Sequence, residues 1–220
     1  MRFAPEGNPF IVGAFALFAL FAVTAWLFRH PGPALACLAL AFVGAGFMAF
    51  FFRDPERTPP TGDGLFVSGA DGLVNSVEFM REDVYLKCDA VRVTVFLNIH
   101  NVHINRMPMA GTVELATYTP GKFLEAWKAE ASFENGRSTV GVRGEKTSCL
   151  VRQIVGLVAR RVVTRVKEGE TVERGGRFGL MKFGSRLDVF FPAADVEVLV
   201  EKGQRVRAGE TPVARLRSET

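Results

Sequence analysis

The segment RVKEGETVERGGRFGL, residues 165–180, decides the fold because a second segment, LVEKGQRVRAGETPVARL at residues 199–216, repeats its pattern. The matching positions lie 34 residues apart: Gly169 and Gly203, Val172 and Val206, Gly175 and Gly209. Glycine tolerates the backbone angles of tight turns, and the valines between the glycines suit a small apolar core. The two segments therefore predict two equivalent β units near the carboxyl end of the chain.

The spacing of this repeat resembles the two halves of a barrel-sandwich hammerhead of the biotinyl or lipoyl type. In carrier domains of that type, the modified lysine lies in a turn between the halves. Lys182 lies between the two repeats of this chain, within LMKFGS at residues 180–185. A non-enzymatic, membrane-tethered carrier or adaptor module modified at Lys182 is therefore one hypothesis for the function.

Short strand-like runs make up most of the chain around this repeat. Val, Phe and Thr are frequent from residue 65 onward, and Gly and Asp interrupt the runs, as is typical of short strands. Residues 121–136 have a weak helical pattern, and residues 53–64, with three Pro and two Gly, are predicted to be a linker. We predict an α+β fold that is mainly β, with a compact β-rich domain and a hammerhead-like repeat at its end.

Two uncharged stretches of 20 residues, 9–28 and 33–52, precede the β-rich part. About 20 apolar residues span the hydrocarbon core of a bilayer as a helix, and RHPG at 29–32 is typical of a turn. We predict a membrane-associated helical hairpin over residues 1–52 and a β-rich domain over 53–220. A signal peptide and a buried soluble hairpin are the alternatives. The second apolar stretch disfavours a signal peptide, and a chain this short cannot easily cover two apolar helices.

Charge and cysteine content indicate the compartment. If both helices span a membrane, Arg2 and Arg53 share one side and favour the cytoplasm, whereas Arg29 favours the reverse. The three cysteines form no C-x-x-C pair, and free thiols are typical of a reducing compartment. Residues 151–220 hold 14 Lys and Arg against nine Asp and Glu, which suits an anionic lipid surface. We predict a cell-membrane location, a β-rich domain on the cytoplasmic face, and no nucleic-acid partner.

Three clusters could carry chemistry: GADG at 69–72, FLNIHNVHINRMP at 96–108 and KFGS at 182–185. A serine hydrolase needs its Ser on a strained elbow such as G-x-S-x-G, which the string F-G-S-R-L lacks. His100 and His103 have a spacing that suits metal ligands on a helix or turn, but no third ligand cluster accompanies them. A convergent hydrolase and a metal site are therefore minor alternatives, and we predict no metal.

Taken in order, these clusters resemble the phosphatidylserine decarboxylase family over nearly the whole chain. The resemblance begins with the apolar N-terminal helices and FFRDPERTPP at 51–60. It continues through GADG, FLNIHNVHINRMP, ENGR at 134–137 and a Gly-Ser near the carboxyl end. The chain length and FFRDPER resemble the short bacterial and archaeal branch. Each motif alone is weak, but five in the family order are specific, and the hammerhead-like repeat belongs to this family too, which weakens the carrier hypothesis.

The resemblance implies a proenzyme that cleaves itself between Gly184 and Ser185, giving a β chain of residues 1–184 and an α chain of residues 185–220. Ser185 would become a pyruvoyl group, so that no external cofactor is needed. This group forms a Schiff base with the serine amine of the lipid. Loss of carbon dioxide then converts phosphatidylserine to phosphatidylethanolamine.

The resemblance also implies roles for residues beyond the cleaved bond. His103, with Asp71 behind it, is the implied base for the Ser proton and the donor that protonates the carbanion. Longer family members carry a His at the position of Arg106, and Gly-Ser-Thr where this chain has Gly-Ser-Arg. We predict Arg106, Arg186 and His100 as substrate-binding residues, with solvent exposure of Arg186 as the alternative.

The partners implied by the resemblance are a phospholipid substrate, the membrane and a heterodimer of the chain's own α and β products, with a homo-oligomer of these left open. Decarboxylation of another serine phospholipid, such as archaetidylserine, would use the same chemistry and a different pocket for the apolar tails. The sequence leaves that alternative open.

Overall fold

The computed structural model describes residues 2–28, 31–125, 130–156, 162–182 and 185–217. The chain divides into two compact units, Met1–Pro55 and Glu56–Thr220. The first unit is mainly helical, and the second is almost entirely β.

The first unit is a hairpin of two apolar helices, α1 (Asn8–Phe28) and α2 (Pro31–Phe51). The helices pack against each other, and the rings of Phe18 and Phe42 lie 6.3 Å apart. Neither helix has a polar face, which is the pattern of a helix in apolar surroundings. The predicted pair of apolar N-terminal helices is thus confirmed, while residues 29 and 30 of the predicted turn lie outside the described residues.

The membrane-spanning potential of the two helices differs. Among the described residues, Pro5–Thr24 is the one helical segment with the length and composition to cross a membrane, with a mean hydropathy of 1.8. Leu35–Phe51 is apolar but shorter. Two short strands, β1 (Arg2–Phe3) and β2 (Arg53–Asp54), pair antiparallel and join the two ends of the hairpin.

The second unit is built from antiparallel strands, which confirms the prediction of a mainly β chain. Eight strands form a sheet that curls into a half-barrel, in the order β11-β7-β8-β9-β13-β5-β4-β15, and two three-stranded sheets have the orders β10-β12-β6 and β14-β16-β3. The elements are β3 (Leu65–Val67), β4 (Gly72–Glu82), β5 (Cys88–Leu97), β6 (Ile104–Arg106), β7 (Gly111–Thr119), α3 (Ala131–Glu134), β8 (Arg137–Arg143), β9 (Ser148–Ile154), β10 (Val162–Thr164), β11 (Thr171–Val172), β12 (Arg177–Met181), β13 (Ser185–Pro192), β14 (Val196–Val198), β15 (Arg205–Val206) and β16 (Pro212–Leu216).

The β unit consists of two halves with matching strand pairings. One half is discontinuous and contains β3–β5 and β13–β16, and the other, inserted half contains β6–β12. In one half β16 pairs with β3 and β14, and in the other half β12 pairs with β6 and β10. The pairing of β16 with β3 shifts register between Pro212 and Ala214, and the pairing of β12 with β6 shifts register between Arg177 and Gly179. The halves meet where β13 pairs with β9, with Val189 opposite Val151. Replacing each strand of the large sheet by its equivalent in the other half gives the same strand order, read from the opposite edge. The fold therefore has an internal pseudo-two-fold relation.

The two sequence repeats occupy equivalent places in this arrangement. In β11, Val172 pairs with Gly111 at one edge of the large sheet, and in β15, Val206 pairs with Gly72 at the other edge. The repeat glycines at 169, 175, 203 and 209 all have positive φ, which glycine adopts at no steric cost. The repeat thus supplies one edge strand and one set of turns to each half.

The two halves differ in one connection. In the inserted half, β8 runs directly into β9 through a tight turn, in which the Gly144 N–H donates to the Thr147 carbonyl over 2.9 Å. The equivalent strands β5 and β13 pair as far as Leu97 and Ser185, and the whole inserted half lies between them in the sequence. Ser185 is therefore the residue at which the chain re-enters the discontinuous half.

The core lies on the concave side of the large sheet. Along β13 the side chains of Leu187, Val189 and Phe191 alternate with Arg186, Asp188 and Phe190, and the first three belong to the main apolar core. Valines at 91, 93 and 95 in β5 face the same core. Alternation along a buried central strand therefore decides which β13 side chains face the core and which face outward.

The weak helix expected over residues 121–136 is largely absent from the described part of that segment. Only Ala131–Glu134 is helical, and residues 126–129 lie outside the described residues. Lys122 donates its N–H to the Glu134 carbonyl and accepts from the N–H of Gly136, so that backbone pairing holds this part of the segment extended. These tertiary hydrogen bonds override a weak local helical preference.

Candidate active site

Ser185 is the first residue of β13, a central strand of the large sheet. It lies opposite Leu97 of β5 and on the same face as Leu187, so its side chain points toward the concave side. Its side chain is fully buried, and among the described residues Oγ has no hydrogen-bond partner. A buried hydroxyl in this state is costly and is typical of a group kept for chemistry. Phe183 and Gly184 lie outside the described residues.

His103 is buried at the start of β6 and has a defined hydrogen-bonding state. Its Nδ1 lies 2.9 Å from the Asn101 carbonyl oxygen. A carbonyl can only accept, so Nδ1 carries the proton, and in the neutral ring Nε2 carries the lone pair that can accept one. The His103 ring is thereby prepared to accept a proton at Nε2.

The backbone brings His103 close to the start of β13. The His103 carbonyl accepts a hydrogen bond from the Met181 N–H over 3.1 Å at the end of β12. Ser185 follows Met181 by four residues, which span about 14 Å at most when fully extended. The His103 backbone and Ser185 are therefore linked by one short connection, and contact between their side chains stays a prediction.

Asp71 is held by two groups on other segments. Its Oδ1 accepts from the Ala208 N–H over 2.8 Å, and its Oδ2 forms an ion pair with Arg57 over 2.9 Å. Arg57 also pairs with Glu210 over 2.8 Å. The role of Arg57 was not predicted, although the charged string RDPER, which includes Arg57, stands out in the predicted linker and could have indicated it.

The pseudo-two-fold relation gives Asp71, His103 and Ser185 a matching set of positions elsewhere in the β unit. Their equivalents in the other half are Ala110, Gly64 and Thr147, from the pairings of β4 with β7, β3 with β6, and β13 with β9. These three equivalents line a single cavity of about 1290 Å³. Because the two halves share one frame, we expect Asp71, His103 and Ser185 to face one region as well, and their convergence stays a prediction.

Arg106 is almost fully buried in the fold. Its guanidinium donates to the Gly175 carbonyl over 2.9 Å, and a Cβ on Gly209 would lie 2.7 Å from Arg106 Cδ. One turn of each repeat therefore leaves room for this side chain. A role of Arg106 in substrate binding stays a prediction.

Arg186 lies on the face of β13 opposite to Ser185, as alternation along a strand requires. It is buried and donates to both carboxylate oxygens of Asp188, over 2.7 and 3.0 Å, and to Thr94 over 3.2 Å. Ser132, next to α3, also donates to Asp188 over 3.4 Å. This network holds the first residues of β13 against two neighbouring segments. The predicted contact of Arg186 with lipid phosphate stays a prediction.

The remaining predicted residues lie nearer to solvent. His100 is exposed in the turn closed by a hydrogen bond from the Asn101 N–H to the Asn98 carbonyl. Lys182 is half-buried at the end of β12. Across the described ranges, no group of three His, Cys, Asp or Glu side chains is placed to hold a metal ion.

The chain combines a β-rich unit, a pair of apolar helices and a buried Ser. These features agree with the class of self-processing enzymes that act on lipids. The sequence profile of the phosphatidylserine decarboxylase family matches residues 45–214. One relative named phosphatidylserine decarboxylase proenzyme, from Salinibacter ruber, is 47% identical over 88% of this chain and 84% of the relative. Another of the same name, from Symbiobacterium thermophilum, is 45% identical over 97% of this chain and 95% of the relative. A third, from Carboxydothermus hydrogenoformans, is 44% identical over 81% of this chain and 84% of the relative. The chain belongs to the phosphatidylserine decarboxylase family, as predicted from its motifs.

Proposed function

We propose that this chain converts phosphatidylserine to phosphatidylethanolamine, using a pyruvoyl group made from Ser185. Membership of the family confirms the predicted enzyme, a phosphatidylserine decarboxylase formed as a proenzyme, and the predicted type of cofactor. The observation that carries the assignment to Ser185 is its fully buried Oγ at the junction of the two halves, near His103.

Self-cleavage at Gly184–Ser185 follows from groups that the chain itself supplies. Ser185 Oγ attacks the carbonyl carbon of Gly184, the C–N bond between the residues breaks, and the amide becomes an ester. Nε2 of His103 accepts the hydroxyl proton while Nδ1 donates to the Asn101 carbonyl, so Asp71 supports the positive ring through its charge rather than by a hydrogen bond to Nδ1. Elimination of the ester frees the Gly184 carboxylate and leaves dehydroalanine, whose hydrolysis releases ammonia and leaves the ketone.

The place of Ser185 in the topology supports cleavage there. Because the chain enters β13 from the inserted half, a cut before Ser185 separates two structural pieces without breaking a strand. The α chain, residues 185–220, retains β13 between β5 and β9, where backbone hydrogen bonds on both sides hold it. We infer a stable heterodimer of the chains 1–184 and 185–220.

Decarboxylation then places three demands on the site. The pyruvoyl group supplies an electron sink for loss of carbon dioxide. His103 returns a proton to the head-group carbon, and the burial of this ring excludes water from the step. Of the three predicted substrate-binding residues, Arg106, Arg186 and His100, the exposed His100 is best placed to meet a head group arriving from outside. Arg186 serves instead to hold β13, through Asp188.

We also infer a membrane location. The apolar hairpin over residues 1–52 associates with the bilayer and the β unit acts on the cytoplasmic face, supported by the apolar span Pro5–Thr24 and the free thiols of Cys37, Cys88 and Cys149. The repeat turns and edge strands agree with a barrel-sandwich hammerhead. A homo-oligomer of the heterodimer is compatible with this arrangement.

An assay of the purified full chain in mixed micelles tests the function. Processed protein should release carbon dioxide from phosphatidylserine without added cofactor, and hydrazine, which traps ketones, should abolish the activity. The Ser185→Ala variant should remain one chain and release none. Activity of uncleaved Ser185→Ala protein would refute the assignment, and a mass increase on Lys182 of an intact chain would support the carrier hypothesis instead.

A further inference from the structure

The cavity at the pseudo-symmetric position of the candidate active site has no role in the chemistry above. It measures about 1290 Å³, which exceeds the roughly 300–1,000 Å³ of typical small-molecule sites. It cannot repeat the reaction, because Ala110, Gly64 and Thr147 stand at the positions equivalent to Asp71, His103 and Ser185. It is therefore a non-catalytic cavity formed by the same frame.

The floor of this cavity is apolar. Phe66 and Met109, both nearly buried, lie at its base, and Leu65 and Leu216 flank them. Such a floor suits hydrocarbon rather than a free polar metabolite. The cavity is open to solvent on one side, so a ligand with a polar head can keep part of itself outside.

The rim carries balanced charges of both signs. Three basic and three acidic side chains line it: Lys146, Arg174, Arg217, Asp63, Glu145 and Asp195. A rim with no net charge suits a zwitterion better than an anion, because an anion would leave the acidic groups without complement.

Two of the charged groups are fixed in position by neighbours. The Asp195 carboxylate accepts from Thr147 Oγ1 over 2.5 Å, and the Arg174 guanidinium donates to the carbonyls of Pro60, Gly62 and Leu65 over 2.9–3.0 Å. Lys146 is exposed, and Arg217 donates through Nε to the Val196 carbonyl, which directs its end along the rim. The rim thus presents an oriented carboxylate, two hydrogen-bonded guanidinium groups and one exposed ammonium group around one opening.

We propose that this cavity binds a zwitterionic aminophospholipid, with the ammonium group toward Asp195, the phosphodiester toward Lys146 and Arg217, and the first part of the acyl chains over Phe66 and Met109. The inference rests on the fold symmetry and on the charges of the cavity, not on the proposed reaction. It assigns a second lipid site to the β unit, separate from Ser185.

Methionine methyl NMR of the processed full-length enzyme, treated with hydrazine so that the ketone is blocked and the serine lipid is not decarboxylated, can test this site. Met109 lines the cavity, whereas Met181 lies beside the catalytic region, and Met109→Leu and Met181→Leu assign their signals. Dihexanoyl phosphatidylethanolamine, kept below its critical micelle concentration, should shift the Met109 signal with saturation. Dihexanoyl phosphatidylserine should bind there at least tenfold more weakly.

Charge-reversal variants provide the control. Lys146→Glu with Arg217→Glu should weaken the Met109 response at least tenfold, whereas Lys202→Glu, an exposed lysine outside the cavity, should not change it. Decarboxylation by the double variant should stay unchanged, which separates this proposal from the proposed function. Three results would overturn it: a shift of Met181 alone, no saturable shift of Met109, or tighter binding of the phosphatidylserine probe.

Discussion

Ser185 and Leu97 form the last pair between β13 and β5, at the position where the other half of the molecule has a closed turn. This relationship makes the candidate cleavage site a junction rather than the interior of an element. It predicts that the cleaved chains stay together, since β13 keeps its hydrogen bonds to β5 and β9. Size-exclusion chromatography in detergent should show both fragments in one peak, separable only under denaturing conditions. Elution of the small chain as a separate species would contradict this arrangement.

The Arg186–Asp188 pair should contribute to stability as a unit. Arg186→Met leaves Asp188 buried without its guanidinium partner, and breaking such a pair typically costs about 3–5 kcal/mol. Replacing both, by Arg186→Met with Asp188→Leu, should recover most of the loss because neither member of the pair is left as an unpaired buried charge. Urea unfolding in a single-chain Ser185→Ala background measures the free energy of unfolding of each variant.

The outcome of that series also bears on the substrate role of Arg186. If the double variant, made with Ser185 intact, folds and processes but its KM for phosphatidylserine rises tenfold or more, Arg186 contacts the lipid after all. An unchanged KM supports a positioning role on the outer face.

We expect Asp71 to matter for processing, because its negative charge favours proton uptake by His103. Asp71→Asn removes the carboxylate charge while an amide oxygen can still accept from Ala208, so folding should be retained. We expect self-cleavage to slow by about tenfold or more, at its lower end less than the roughly 10²–10⁴-fold contributed by a group that transfers the proton itself. A time course of cleavage on denaturing gels, started by cell-free synthesis, provides the rate.

The ion-pair partners of Asp71 supply matched controls. Arg57→Gln should slow cleavage in the same direction, because it releases Asp71 Oδ2. Glu210→Gln changes the other partner of Arg57 and should leave the rate within about twofold of the parent. Normal cleavage by Asp71→Asn would remove Asp71 from the mechanism.

Cys149 makes the stability depend on pH in the alkaline range. Burial raises the pKa of the Cys149 thiol to about 12, whereas an unfolded chain loses this proton near pH 8.5. Above that pH the unfolded state binds fewer protons than the folded state, so stability falls by about 1.4 kcal/mol per pH unit. Cys149→Ala should be less stable at pH 8 but should lose this part of the slope between pH 9 and 11. Urea unfolding under reducing conditions compares the slopes, and parallel slopes would contradict the prediction.

Local sequence patterns were sufficient for the elements with strong periodicity or composition. The uncharged stretches predicted both helices, and the glycine spacing of the repeat predicted two equivalent β units. The pattern of FLNIHNVHINRMP and KFGS predicted His103 and Ser185, and the structure places both residues in buried positions, His103 just before β6 and Ser185 at the start of β13. These signals are local, so no knowledge of long-range pairing was needed.

Long-range relations were beyond sequence reasoning. The pseudo-two-fold relation depends on long-range pairings such as Gly72 with Val206 and Gly111 with Val172. The one sequence signal that could have indicated it is a Gly two residues before Val74 and again two residues before Val113. The side of β13 taken by Arg186 depends on strand register, which the sequence did not specify. The segment around Lys122 is held extended by hydrogen bonds to residues more than ten positions away.

The intact mass of purified, active protein under denaturing conditions tests the central claim most directly. We predict two chains, one ending at Gly184 and one containing residues 185–220 that is lighter than its serine form by one molecule of ammonia. A single uncleaved chain that retains Ser185 and is fully active would contradict the account.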